Sequence, residues 1–126
     1  MITGASGQTY DPLPIDNTAG FPQQFPLLLN GVNYQFLIYV NVPEAALGSL
    51  DELMVLPDAT RFLVVRVSVL AADGTAQTVF LRKVVPSLEY RADGLALTFP
   101  TQIVARRNLN GVGNFGSNVI GGVASP

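Results

Sequence analysis

Alternating apolar and polar positions mark the clearest strand of this chain, over residues 33–42. Every second position is apolar or aromatic, so one face of the strand would carry Tyr34, Phe36, Ile38, Val40 and Val42. The preceding Asn30-Gly31 predicts a tight hairpin turn because both residue types accept a positive φ. Pro26 lies in the strand before that turn and lacks a backbone N–H, so we expect that strand at a sheet edge.

Further strand-sized apolar segments follow, separated by turn sequences. We predict strands over 61–70, 77–85, 88–91, 95–99 and 101–107, with turns at Asp73-Gly74 and Asp93-Gly94. The spacing of alanine and leucine over 43–53, which begins with Pro43, predicts one short helix or helical turn. Many short strands, tight turns and one helix indicate an all-β fold. We expect a small antiparallel sandwich or barrel with extended N- and C-terminal arms.

The two ends of the chain differ in composition from its middle. Residues 1–24 are broken up by proline and glycine, and residues 108–126 are rich in glycine without a single charge. We therefore divide the chain into an extended N-terminal arm (1–24), a β-domain (25–107) and a Gly-rich C-terminal arm (108–126). Large apolar side chains in these arms are candidates for burial in neighbouring subunits, namely Tyr10, Phe21, Phe115 and Ile120.

The composition argues against catalysis. The 126 residues include no His and no Cys, the side chains on which proton transfer, nucleophilic attack and transition-metal binding most often depend. We expect no enzyme, no cofactor and no metal site. Charged residues make up 13% of the chain, against roughly 25% in ordinary domains. A chain with so few charges is expected to have an apolar surface, which favours coverage by protein partners. An unusually apolar core would explain the composition too.

The absence of targeting segments and the distribution of charge limit the classes of partner that we expect. No apolar run is long enough for a membrane helix, and the first residues lack the features of a signal peptide, so we expect synthesis in the cytosol. A net charge of −2 does not favour nucleic-acid binding. All seven basic residues follow position 60. This asymmetry would either steer subunits head to tail or be neutralised across strands of one sheet. The adjacent Arg106 and Arg107 are candidate partner contacts, or else a solubilising strand end.

Four further patterns are candidates for a chemical site. Residues 111–116 match G-x-G-x-x-G, but the ten residues that follow leave no room for the helix that a dinucleotide site requires. Asp51-Glu52 lacks the spacing of a Ca²⁺ loop and favours a solvated face. Lys83 lacks a partner serine at S-x-x-K spacing. For glycan binding, tyrosine lies near an acid or amide in two places, Glu89-Tyr90 and Tyr39 with Asn41.

One stretch of the chain resembles a known family. Residues 25–40, FPLLLNGVNYQFLIYV, resemble the opening of small baseplate plug proteins of contractile-tailed phages, in which an apolar strand ending in Leu-x-Gly leads to an aromatic-rich strand. The resemblance extends over about 21–107 through the Asp-Gly turns; the family's Trp-containing segment has no counterpart here. It implies a non-enzymatic virion protein packed among tail-tube and hub subunits.

These observations lead to a functional hypothesis. We expect a structural component of a phage virion, made in the host cytoplasm, that packs as a tail or baseplate plug or hub-associated protein between neighbouring subunits. A capsid decoration protein and a self-contained glycan- or ligand-binding β module remain alternatives. The residues expected to contact tail-tube, hub or capsid subunits are Tyr10, Phe21, Arg106, Arg107, Phe115 and Ile120.

Overall fold

Two antiparallel sheets pack face to face in the computed structural model, which describes residues 1–125. The smaller sheet has the order β3-β4-β6-β7, and its strands are β3 (Gln23–Leu29), β4 (Val32–Asn41), β6 (Phe62–Leu70) and β7 (Ala76–Val84). The larger sheet comprises β1 (Ile2–Thr3), β2 (Thr9–Pro12), β5 (Leu53–Val55), β8 (Glu89–Ala92), β9 (Leu95–Ala105) and β10 (Asn118–Ala124). Its order is β1-β2-β10-β9-β5, with β8 also paired to β9. The all-β prediction is therefore confirmed, as a sandwich.

The hairpin and strand predicted around Asn30-Gly31 are confirmed. Asn30 has a φ of 52° and Gly31 a φ of 78°, and β3 and β4 pair directly through this turn. The strand that contains Pro26 lies at the edge of the smaller sheet, where a missing N–H leaves no neighbour unpaired. The inward positions of β4, at Tyr34, Phe36 and Ile38, are buried in the core.

The core lies between the sheets and is built mostly from β4, β6 and β9. Alternate residues of β6 and β9 meet the inward face of β4, and the fully buried members of this set include Leu63, Val65, Val67, Leu97, Phe99 and Val104. Phe25 stacks on Phe36 with ring centroids 5.2 Å apart. The alternation of apolar residues in the sequence thus becomes the shared interior of the two sheets.

Of the short helix or helical turn predicted over 43–53, only the helical turn is present. Only one 3₁₀ turn forms, η1 (Glu44–Ala46), and Leu53 begins strand β5 instead. Leu50 and Leu53 are exposed, so the residues that suggested a helical apolar face have no core to bury against.

Strands predicted separately on either side of Pro100 form the single strand β9. The pairing of β9 with β10 shifts register at this point, because Thr98 pairs with Gly122 and Thr101 with Ile120. Two residues, Phe99 and Pro100, therefore lie opposite the single residue Gly121. A bulge of this kind accommodates proline because one residue in it makes no ladder hydrogen bond.

The terminal segments predicted as arms belong to the sandwich. Strand β10, from the predicted C-terminal arm, lies between β9 and β2, and β2 comes from the predicted N-terminal arm. Glycine makes this possible, because large side chains cover β10 from both sides. A Cβ added at Gly121 would come within 2.8 Å of the Phe99 ring, and one at Gly122 within 2.7 Å of Tyr10 Cβ. Residue 126 lies outside the described residues.

The second 3₁₀ turn, η2 (Arg106–Asn108), follows β9 directly and begins the connection to β10. Among residues 1–125 there is no helix with the length and apolarity needed to cross a membrane.

Truncating a side chain to alanine on the two faces of β4 should lower the free energy of unfolding by different amounts, although each change removes three carbon atoms. Ile38 is fully buried, whereas its neighbour Leu37 faces away from the core and is half-buried. We expect Ile38→Ala to lower the free energy of unfolding by about 2–5 kcal/mol and Leu37→Ala by about 1 kcal/mol or less, measured by urea denaturation. Equal losses for the two variants would contradict the assignment of faces.

Candidate functional site

Two of the six predicted partner contacts are buried inside the chain itself. Tyr10 is 1% exposed and Phe21 is 2% exposed. Phe21 bridges to Leu109, since its N–H donates to Asn108 O (2.8 Å) and its carbonyl accepts from Asn110 N (2.7 Å). The expectation that these two side chains insert into a neighbouring subunit is therefore wrong, because their apolar surface is already covered.

The Tyr10 hydroxyl fastens the N-terminal hairpin to the outer surface of the larger sheet. It donates to Glu89 Oε1 at 2.6 Å, and Ser6 donates to the same carboxylate from Oγ (2.7 Å) and from its backbone N (2.8 Å). Burial, and secondly the bond to Glu89, raise the pKa of Tyr10 to about 12. The hydrogen bonds from Tyr10 and Ser6 lower the pKa of Glu89. Side chains of the N-terminal hairpin thus lie over Gly122 of β10 and reach Glu89 of β8.

This arrangement removes one of the two candidate glycan sites. Tyr90 is buried, its hydroxyl accepts from Val85 N at 2.8 Å, and the Arg82 guanidinium lies 5.3 Å from its ring centre. Since Glu89 is held by the N-terminal hairpin, the Glu89-Tyr90 pair is not open to a sugar. Tyr39 and Asn41 lie on the outer face of the smaller sheet, opposite Val64 and Phe62 of β6.

Farther along the larger sheet, the outer surface is uncharged and carries exposed apolar side chains. Met54 of β5 and Val104 of β9 are paired and point into the core, so the residues on either side of them point outward. The outward residues on β5, β9 and β10, which we call the apolar face, are Leu53, Val55, Thr101, Ile103, Ala105, Asn118 and Ile120. None of them is charged. Val55 is 67% exposed, Leu53 50% and Ile120 38%.

Phe115 extends this surface at one end. Its ring, which is 42% exposed, borders a shallow cleft over Ala105 together with Leu50 and Arg107. Arg107 is exposed and pairs with Asp51 across 3.1 Å. Of the predicted contact residues, the structure therefore brings Phe115, Ile120 and Arg107 to the apolar face or its rim.

The glycine-rich loop after η2 is organised by a buried asparagine. Asn108 is fully buried, and its Nδ2 donates to the carbonyls of Gly111 (3.1 Å) and Gly113 (3.0 Å). Its Oδ1 accepts from Ser117 Oγ at 2.6 Å. The loop leads into strand β10 and not into the helix that a dinucleotide site would need. Asn108 was not among the predicted site residues, and its only local signal is its position just before the Asn110-Gly111 turn.

A cavity of about 360 Å³ opens at the end of the sandwich where β4 ends and η2 begins. Apolar and polar side chains both line it. The apolar ones are Phe21, Pro22, Val40, Val42, Leu47 and Leu109, and the polar ones are Glu44, Arg106 and Asn110. Arg106 Nε is buried and has no hydrogen-bond partner among residues 1–125. Arg106 is thus directed to a different surface from its neighbour Arg107.

The acidic pair Asp51-Glu52 is divided between two arginines. Arg61 contacts Glu52 at 2.8 Å and Asp58 at 2.6 Å, while Arg107 contacts Asp51. Hydrogen bonds from Arg61 and Thr60 lower the pKa of Asp58 to about 2. Three acids of the first 60 residues are therefore neutralised within the chain. No group of three or more metal-ligating His, Cys, Asp or Glu side chains occurs in the described part of the chain.

Comparison with known proteins found no matching family model, no similar curated protein and no similar solved structure.

Replacing Glu89 by Gln should destabilise the fold in a pH-dependent way. A carboxyl whose pKa is lowered by folding contributes stability above its ordinary value of 4.5, and this contribution is lost as the pH falls through the folded-state pKa. Urea unfolding should therefore show a deficit for Glu89→Gln at about pH 7 that shrinks at about pH 3. In a Tyr10→Phe background the same substitution should cost less, because one of its donors is gone. A deficit independent of pH would contradict this assignment.

Proposed function

We propose that the chain is a non-enzymatic structural component of a phage virion, a tail or baseplate plug or hub-associated protein that packs between neighbouring subunits. The contacts with those subunits are made by the apolar face and not by extended arms. The observation that carries this proposal is the uncharged outer surface formed by Leu53, Val55, Ile103 and Ile120, with Phe115 at its end.

Exposed apolar surface of this kind favours a permanent protein partner. Isolated apolar residues are common on monomers, but contiguous apolar patches usually mark an interaction site. Here the exposed side chains come from three adjacent strands, β5, β9 and β10, so they form one continuous area. Burying a large aliphatic side chain fully contributes about 1.5–3 kcal/mol, so a few such residues supply much of the affinity of a stable contact.

The expected occupant is an apolar surface of another virion subunit. A flat sheet face without charges offers shape and apolar area but few directional hydrogen bonds, which suits a static contact within an assembly. The polar rim is provided by the Arg107–Asp51 pair. The resemblance of residues 25–40 to baseplate plug proteins favours the tail as the site of assembly, whereas a capsid decoration protein would need the same kind of surface.

A lysine placed in the apolar face should prevent incorporation into particles. We expect wild-type chain in purified phage particles from the strain that encodes it, and a reduction of about tenfold or more for Val55→Lys, because a buried ammonium lacks a partner there. Ile120→Lys, on another strand of the same face, should behave alike. Leu28→Lys is the matched control, since Leu28 and Val55 are both 67% exposed but Leu28 lies on the smaller sheet.

Quantitative immunoblotting of particles gives the amount incorporated, and urea unfolding confirms that each variant folds. Immunogold labelling then separates a tail-tip location from the capsid location of a decoration protein. Wild-type chain that is absent from particles would overturn the proposal. Incorporation of Val55→Lys and Ile120→Lys at the wild-type level would show that another surface makes the contact.

A further inference from the structure

The cavity beside Arg106 has the composition of a ligand site, and neither the fold nor the apolar face requires it. We infer that it binds a carboxylate carried on an apolar group, such as an apolar residue at the C-terminus of a polypeptide. The inference concerns a surface separate from the apolar face and holds whether or not the proposed function is correct.

The cation is the first element of the site. An arginine side chain stays charged at any physiological pH and presents its N–H groups in a planar fork that matches a carboxylate. Arg61 and Arg107 already use their forks on acids of this chain. Arg106 enters none of the ion pairs found among residues 1–125, and its Nε is buried without a partner. Because Arg106 lines an open cavity and has no acid of the described chain as its partner, its charge is available to an anion that enters the cavity.

The apolar residues that line the cavity favour a ligand whose carboxylate is attached to an apolar group. Six of the residues that line the cavity are apolar. Val40 lies near the end of β4 and Val42 just after it, while Phe21 and Leu109 are joined by a backbone bridge. A volume of about 360 Å³ falls within the range typical of small-molecule sites, about 300–1,000 Å³. An apolar side chain of a ligand would lie against these walls while its carboxylate reaches the guanidinium.

Glu44 limits the charge of the ligand. This carboxylate lines the same cavity and is exposed, so it repels an anion bound to Arg106. One arginine opposed by one glutamate suits a single negative charge and disfavours phosphate, which carries more charge and gains most from several cations. The site therefore fits a monocarboxylate better than a phosphorylated ligand.

The test uses the full chain and side-chain ¹H–¹⁵N NMR of the arginine Nε–H groups. N-acetyl-leucine is the probe, N-acetyl-leucinamide is its uncharged match, and inorganic phosphate is the competing anion. We expect a saturable shift of the Arg106 signal with the acid, and binding weaker by about tenfold or more for the amide, because a charge-assisted hydrogen bond is lost. Phosphate should bind more weakly than the acid.

Variants distinguish the contribution of the Arg106 guanidinium to binding from the contributions of neighbouring charged residues. Because Arg106→Gln removes the signal that reports binding, its affinity is measured by calorimetry, and it should fall by about tenfold or more. Arg107→Gln is the matched control, since it removes the adjacent arginine from outside the cavity and should leave affinity unchanged. Arg106→Lys keeps the charge without the fork and should give intermediate binding, and Glu44→Gln should tighten binding. Dispersed backbone spectra verify folding in each case.

The source of the carboxylate is resolved by two further probes. A short peptide ending in leucine that binds more tightly than hexanoate identifies a polypeptide C-terminus, and the reverse order identifies a free apolar acid. The inference is overturned if the acid gives no saturable shift up to its solubility limit, if the amide binds equally well, or if Arg106→Gln binds as tightly as the wild type.

Discussion

The sandwich depends on the close packing of β10 between two large aromatic side chains. Phe99 presses against Gly121 from the core, and Tyr10 lies over Gly122 on the outer surface. Any side chain at either glycine would force these rings apart, so β10 could not lie between β9 and β2. Without β10 the larger sheet would lose its link to the N-terminal strands, because β2 pairs with β10 and not with β9. The two ends of the chain are thus tied together at this point.

This constraint also divides the outer surface of the larger sheet. Over Gly122, the N-terminal hairpin covers the sheet and is fastened to Glu89 by Tyr10 and Ser6. Among residues 1–125, no contact of the hairpin is found beyond the bulge at Pro100, and there Leu53, Val55 and Ile120 remain exposed. The exposed apolar area is therefore a consequence of where the hairpin ends. A chain with only 13% charged residues has few polar side chains with which to cover such an area.

The connection from β9 to β10 gives the two adjacent arginines different environments. Asn108, fully buried, holds the glycine carbonyls of the loop and fixes the turn that follows Arg106 and Arg107. Arg107 emerges beside Asp51 at the rim of the apolar face, whereas Arg106 borders the cavity at the end of the sandwich. Arg106 and Arg107 thus lie at separate surfaces, because successive side chains of a 3₁₀ turn point in different directions.

Features that depend on neighbouring residues along the chain could be predicted from the residue pattern. Alternation over 33–42, the positive φ of Asn30-Gly31 and the edge position of Pro26 follow from side-chain periodicity and backbone sterics, and these predictions are confirmed. Features that depend on distant contacts became evident only in the folded chain. The glycines of β10 resemble a loop until Phe99 and Tyr10 are placed beside them, and Tyr10 and Phe21 resemble anchors for a partner until their own core covers them. Burial is a property of the whole packed chain, so no local pattern distinguishes an apolar residue that faces a neighbour from one that faces its own core.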